Sequence, residues 1–239
     1  MQIEAGKRHF KELNEQVKTS NETHITIKHC LGQRYIGAGL AGKELILEGI
    51  PGNALGSYLD GSTIHVMGNA QDATGDTMNE GAIYIHGSSG DATGYSMRGG
   101  KIFVKGSAGY RAGIHMKAYK DKHPVLVIGE RAGSFLGEYQ AGGTIIVLGI
   151  GCTDVPVGYF CGTGMHGGKI YLRCRSLPHD LPKQVVAHEA DEKDLEEIKP
   201  YIKEYCQVFK VEEASLKDKP FYVLEPDTKN PYRQLYTHH

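Results

Sequence analysis

Two stretches have the glycine spacing of a phosphate cradle. Gly37-Ala38-Gly39-Leu40-Ala41-Gly42 and Gly162-Thr163-Gly164-Met165-His166-Gly167 both satisfy G-x-G-x-x-G, and Lys43 brings the first near a Walker A. That chemistry needs the glycines to follow a strand and open a helix, whose first N–H groups then meet the phosphate. Here each motif runs straight into a strand-like segment, and Glu44 stands where a P-loop has Ser or Thr. Chain corners are the better reading. Asp72 and Asp91 share the context Asp-Ala-Thr-Gly and would stack on one edge, where two carboxylates could divide acid–base work. A turn aspartate accepting backbone N–H bonds is the commoner use, and it is the reading adopted.

Twelve histidines invite a metal reading. No H-x-x-x-H or C-x-x-C pair occurs, and Cys152, Cys161 and Cys174 lack zinc or iron–sulfur spacing. His65 and His86 fall on neighbouring segments but at different positions of the local pattern, so they should not converge. No Ser or Cys nucleophile sits in a recognisable elbow. On these grounds we assign no catalytic, cofactor-binding or metal-binding residue.

What must position these residues is a repeat. Gly37, Gly56, Gly75, Gly94 and Gly113 stand nineteen residues apart, and Gly49, Gly68, Gly87 and Gly106 keep the same step. Each glycine of the second series closes a short apolar run. Four places before it stand Leu45, Ile64, Ile83 and Ile102; two places before it stand Leu47, Val66, Ile85 and Val104. Looser runs follow: Val125 and Val127 before Gly129, Ile145 and Val147 before Gly149, then Ile170 and Leu172. A fixed period near twenty residues marks a solenoid, whose single unit cannot bury its apolar face alone. Strand side chains alternate faces, so both aliphatic series should point inward and form continuous files.

The intervening position is the informative one. Ile46, His65, Tyr84, Phe103, Leu126 and Ile146, with Tyr171 in the last run, should face outward, yet they are mainly large and apolar. A row of that kind is not left in water. We therefore read Ile46, His65, Tyr84, Phe103, Leu126, Ile146 and Tyr171 as a partner-docking surface.

Residues 1–36 read as an N-terminal cap, with Phe10, Leu13 and Val17 on one helical face and an alternating strand at 24–28. The repeat region spans 37–176. Residues 177–239 should hold a helix from Asp191 to about Tyr205, with Leu195, Ile198 and Ile202 on one face and Pro200 kinking or dividing it, then irregular chain past Pro220, Pro226 and Pro231. Lys plus Arg is 27 against 28 for Asp plus Glu, which argues against a polyanion-binding surface over the whole protein. No apolar run suits a signal sequence or a membrane span, and five irregularly spaced cysteines read as reduced thiols, so a cytoplasmic protein is expected.

Arg34-Tyr35-Ile36-Gly37-Ala38, the corners Gly75-Asp76-Thr77-Met78 and Gly94-Tyr95-Ser96-Met97, and the I-x-[VIL]-x-G strands resemble the GXGXG domain at the C-terminal end of the glutamate synthase large (alpha) subunit. The resemblance covers about 37–175 and, more weakly, 188–206. It implies a mainly β chain: a single-stranded right-handed parallel β-helix of about seven turns, with short helical or irregular caps at both ends. In those synthases an amidotransferase domain releases ammonia from glutamine, and a flavin and iron–sulfur domain adds it to 2-oxoglutarate. The β-helix packs against both and supplies no catalytic residue. This chain has neither an N-terminal Cys nucleophile nor a cluster motif, so it resembles a stand-alone version of that last domain. The implied role is a non-catalytic scaffold of a split glutamate synthase. FMN and the iron–sulfur cluster would sit on partner subunits, with no nucleic acid and no membrane among the partners; self-association stays open. The alternative is a scaffold like the similar GXGXG-type subunit of a formylmethanofuran dehydrogenase-type complex, a molybdenum or tungsten enzyme. A self-sufficient enzyme such as a polysaccharide lyase or acyltransferase would need a groove of acids and bases that the outer positions lack.

Overall fold

The computed structural model describes residues 1–227; the end of the expected irregular tail, with Pro231, lies outside the described residues. In chain order the elements are β1 (Gln2–Glu4), α1 (Phe10–Thr19), β2 (His24–Leu31), β3 (Glu44–Ile50), β4 (Asp60–Val66), β5 (Glu80–Ile85), β6 (Lys101–Val104) and β7 (Val125–Ile128). Then follow β8 (Ala141–Val147), β9 (Gly167–Arg173), β10 (Val185–Glu189), α2 (Glu192–Phe209), a 3-10 helix (Glu213–Leu216) and β11 (Phe221–Pro226). The eleven strands among the described residues form one sheet, in the order β1 to β9, then β11, then β10. Pairing is parallel from β1 through β9 and antiparallel for β9–β11 and β11–β10.

This corrects the expected single-stranded right-handed parallel β-helix of about seven turns between two caps. The regular structure of the described residues is one open, mostly parallel sheet with two α-helices. The reason lies in the path between strands. It is turn rather than strand, held to its neighbours by single parallel bridges such as Ala70 to Ser89 and Ser89 to Ala108. The expected N-terminal cap also supplies β1 and β2 to the same sheet, while α1 buries Leu13 and Val17 at its end. The tail, expected to be irregular, supplies β10 and β11.

Each return path contains an arch with an unusual backbone. Ala73, Gly75 and Thr77 all have positive φ (55, 72 and 53°), and so do Ala92, Gly94 and Ser96 (54, 75 and 51°). N–H groups then point alternately to the two neighbouring arches: Ala73 to Asp91 O, Gly75 to Leu55 O, Thr77 to Tyr95 O. Side chains such as Leu55, Met78 and Met97 face the sheet, so the main core lies between arches and strands. There Ile64, Ile83 and Ile102 pair in file, and all three are fully buried.

The glycine ladder follows from that packing. A Cβ at Gly75 would run into the tip of Ile102, whereas one at Gly39 would meet nothing within 4 Å. Gly75→Ala should therefore cost about 2–4 kcal/mol in urea unfolding, combining left-handed strain with overpacking. Gly39→Ala, at φ 63°, should cost only about 1–2 kcal/mol. Equal losses would show that backbone angle alone explains the ladder.

Candidate functional site

The outer row is built by the sheet register. Thr26 pairs with Ile46, Ile46 with His65, His65 with Tyr84 and Tyr84 with Phe103. Phe103 then pairs with Val127, Val127 with Ile146, and Ile146 with Tyr171. Leu126 is therefore misassigned as outward and Val125 and Val127 as inward: Leu126 and Ile128 pair with Ile102 and Val104 in the inner core, while Val125 and Val127 lie on the outer face, Val127 in the place given to Leu126. Counting back from Gly129 fails because Gly129 continues the file of Lys105, not that of Gly106. Its missing side chain leaves room for Tyr205, whose hydroxyl donates to the Lys105 carbonyl at 2.8 Å.

The row is not free to dock a partner along most of its length. Helix α2 lies over it, and Phe103, Val127, Ile146 and Tyr171 form a second core with Ile198, Tyr205, Cys206 and Phe209 of that helix. Asp191 and Asp194 close a capping box at its start. Pro200 is accommodated inside the helix on an exposed position, where the carbonyl it strands can meet water. Leu195, expected on the buried face, is exposed. The helix stops over β5, where Phe209 meets the edge of the His86 ring at 5.1 Å. Beyond that end Ile46 is 36% exposed and Met67 52%, and His65 and Tyr84 are half-buried.

Two polar clasps fix α2. At one end Lys169 Nζ lies 2.8 Å from Glu197, 3.1 Å from Asp194 and 3.4 Å from Glu225. Burial works against the Lys169 ammonium, but its hydrogen bonds to Glu197 and Asp194 outweigh this and hold its pKa above the usual lysine value. Asp194 is likewise lifted by burial, yet His188 and Lys169 bring it below the ordinary range. Tyr171 donates to Glu197 at 3.0 Å, and burial and that carboxylate push its pKa up. Further along, Glu204 accepts from Tyr84 at 2.6 Å and from Lys101 at 2.7 Å.

The chemically suggestive residues of the sequence have structural positions. Both G-x-G-x-x-G stretches are corners leading into β3 and β9, with Gly37, Gly39, Gly162 and Gly164 at positive φ. Asp72 Oδ1 accepts from the N–H of Asp91, and Asp91 Oδ1 from that of Tyr110, so the two aspartates tie arch to arch. His65 and His86 come nearer than expected, with ring centroids 6.3 Å apart, and Tyr84 stacks on His65 at 4.8 Å. Among the described residues no group of three metal-ligating side chains converges. Burial pushes the Cys30 thiol up to about 11 and that of Cys161 up to about 12, which removes them as nucleophiles at neutral pH. No helix among the described residues is long and apolar enough to cross a membrane.

Sequence reasoning missed a second surface, on the arches. Tyr58, Tyr95, Tyr110, Tyr139, Tyr159 and Phe160 are exposed there, Tyr159 at 71%. They are braced: His115 stacks on Tyr139 at 5.2 Å, Phe135 on Phe160 at 5.1 Å, and Arg111 sits 4.8 Å over Phe135. The signal was present as aromatics flanking the ladder glycines, as in Gly94-Tyr95 and Phe135-Leu136-Gly137. Such amphipathic, entropically cheap side chains are enriched in protein interfaces.

Residues 3–219 match the GXGXG motif family. The chain belongs to that family. A GXGXG relative, the uncharacterized protein MJ1350 of Methanocaldococcus jannaschii, is 48% identical over 249 residues, covering 98% of this chain and 95% of its own. Among solved structures, this GXGXG chain is similar to a chain of the formyltransferase/hydrolase complex FhcABCD of Methylorubrum extorquens, determined with methylofuran. The TM-score is 0.66 at 23% identity, over 85% of this chain and 74% of that one. At that identity the likeness is one of fold.

The α2 cover should respond to acid in two stages. Burial holds the pKa of His65 below the usual histidine value against the opposing pull of Glu44, and burial together with the neighbouring His65 and Lys105 does the same for His86. Their contribution to stability is complete above that ordinary value and is lost as pH falls through the lowered one. Asp194 and Glu197, also lowered, lose theirs only at more acidic pH. Hydrogen exchange at about pH 7.5 and about pH 5.5 should thus show the last turn of α2 loosening while its first turn stays protected. Uniform loosening would contradict this ordering.

Proposed function

We propose that this protein is a non-catalytic subunit of a multi-subunit enzyme complex of the formylmethanofuran type, acting as a rigid body against which catalytic subunits dock. The observation that carries the reading is the fold shared over most of its length with one chain of a formyltransferase/hydrolase assembly. Two features of the surface support it. Several titratable side chains that the sequence offers for chemistry, or that lie on the outer face, are engaged in clasps and turns, as with Lys169, Glu204, Asp72 and Asp91. The apolar exposure is concentrated on two patches: the uncovered end of the outer face around Ile46, His65 and Met67, and the aromatic arch face. Of the seven residues that the sequence marks as a docking row, Ile46 and His65 keep that role in this proposal.

A second reading is the structural subunit of a split glutamate synthase, docking amidotransferase and FMN/iron–sulfur subunits. The observation favouring it is the entry motif Arg34-Tyr35-Ile36-Gly37-Ala38 with the Gly-x-x-Met corners, whose Met78 and Met97 are fully buried. On either reading the flavin, metal or cluster belongs to partners.

Affinity purification of the tagged protein from its native cell separates the readings. Formyltransferase or molybdopterin-type chains should accompany it on the first; an amidotransferase and a flavoprotein would move the assignment to the second. Tyr159→Asp with Phe160→Asp, or Ile46→Asp with Met67→Asp, should lower partner recovery about tenfold or more with little change in Tm. Recovery of the protein alone, or turnover by the purified chain, would end the scaffold proposal.

A further inference from the structure

A cavity of about 380 Å³ opens where β8 and β9 end, lined by residues 150–153, Arg173, Arg175, Ser215, Leu216, Asp218 and Lys219. Its deepest cation is Arg173, only 3% exposed. Nε donates to Leu216 O at 2.9 Å, Nη1 to Leu148 O at 2.5 Å, and Nη2 to Ser215 O at 3.3 Å and to Asp218. A guanidinium has five N–H donors, and these four bonds leave one on Nη1 without an acceptor.

Two further cations share the wall. Lys219 Nζ donates to Cys152 O at 2.5 Å and keeps two N–H groups in hand. Arg175 is exposed and makes no hydrogen bond or ion pair among the described residues. Against three cations the lining offers one carboxylate, Asp218, itself 56% exposed and tied to Arg173. Lys169, by contrast, is surrounded by three carboxylates. Here the wall carries a surplus of two positive charges, three minus one, on a chain whose net charge is −1.

Arg173 has a structural role, tying the 3-10 helix to the sheet through backbone carbonyls. That role does not account for Arg175 or for the donors left over on Lys219 and Nη1. We propose that this cavity is a binding site for a small oxyanion, a phosphate or carboxylate compound, held by Arg173, Arg175 and Lys219. Guanidinium groups recognise both anions through the same paired N–H···O geometry. The cavity volume lies in the lower part of the range of small-molecule sites. The site is independent of the scaffold role: it faces neither the aromatic arches nor the uncovered strands β2–β4.

The test is calorimetric titration of the full chain with inorganic phosphate and, separately, with citrate, each against sodium chloride at matched ionic strength. One of the two anions should bind at a single site with Kd below about 1 mM at low salt and weaken as salt rises. A preference for phosphate or for citrate identifies the anion class. Because Arg175 holds nothing in place, Arg175→Ala should keep the Tm of the apo protein and weaken binding about fivefold or more; adding Lys219→Ala should abolish it. Absence of binding by both anions, an equal response to chloride, or unchanged affinity in Arg175→Ala would overturn the site.

Discussion

The structure depends on one constraint: every repeat must lay its backbone in register on the one before. Adjacent strands sit about 4.8 Å apart, so each return path has the same span to close, whatever its side chains. The sheet meets this with parallel pairing, Ile64 to Ile83 to Ile102. The arches meet it with three left-handed residues apiece, which aim successive N–H groups at both neighbours. A ladder satisfied on both sides keeps polar backbone at the core boundary without orphaned donors. At Gly37, Gly56, Gly75, Gly113 and Gly137 the inward space already belongs to an isoleucine, whereas at Gly94 a Cβ would make only ordinary contact with Leu126 and the positive φ alone favours glycine.

The second layer exists because the sheet has two faces. Parallel sheets are covered on both sides: arches cover one, and α2 covers the part of the other that spans β5 to β9. The helix is long enough for that part and no longer, which leaves the strands nearer the N-terminus partly bare. Lys169 at one end and Glu204 further along act as registration marks, since a helix sliding by one turn would lose both ionic contacts.

Much of this is legible in the residues. The nineteen-residue step, the inner files except at β7, helices α1 and α2 and the capping role of Asp72 and Asp91 follow from period, alternation and turn chemistry. What misleads is the assumption that matching glycines always align. Gly129 serves Tyr205, which lies far along the chain, and local spacing carries no trace of that contact. For the same reason the outer row reads as a docking face: its apolar character is plain, but which surface covers it depends on where the tail travels. A closed β-helix over-reads the periodicity, which reports the repeat length but not whether the path between strands is itself strand. The short runs Val185-Val186 and Phe221-Tyr222-Val223-Leu224 carry a β signal that the surrounding prolines mask.

The irregular repeats put their surplus residues in particular places. The step from Gly113 to Gly137 is longer than nineteen and places a hairpin-like bridge, Tyr119 to Lys122, at one corner. The next places the 150–156 turn at another, beside the cationic cavity. Neither disturbs the files on either side. Architecture of this kind decouples growth from folding: novelty can be inserted at a vertex as an excursion of arbitrary length, while the ladder beneath continues to count in whole units. A lineage tinkering with such a chain inherits a ruler with attachment points already cut into its margin.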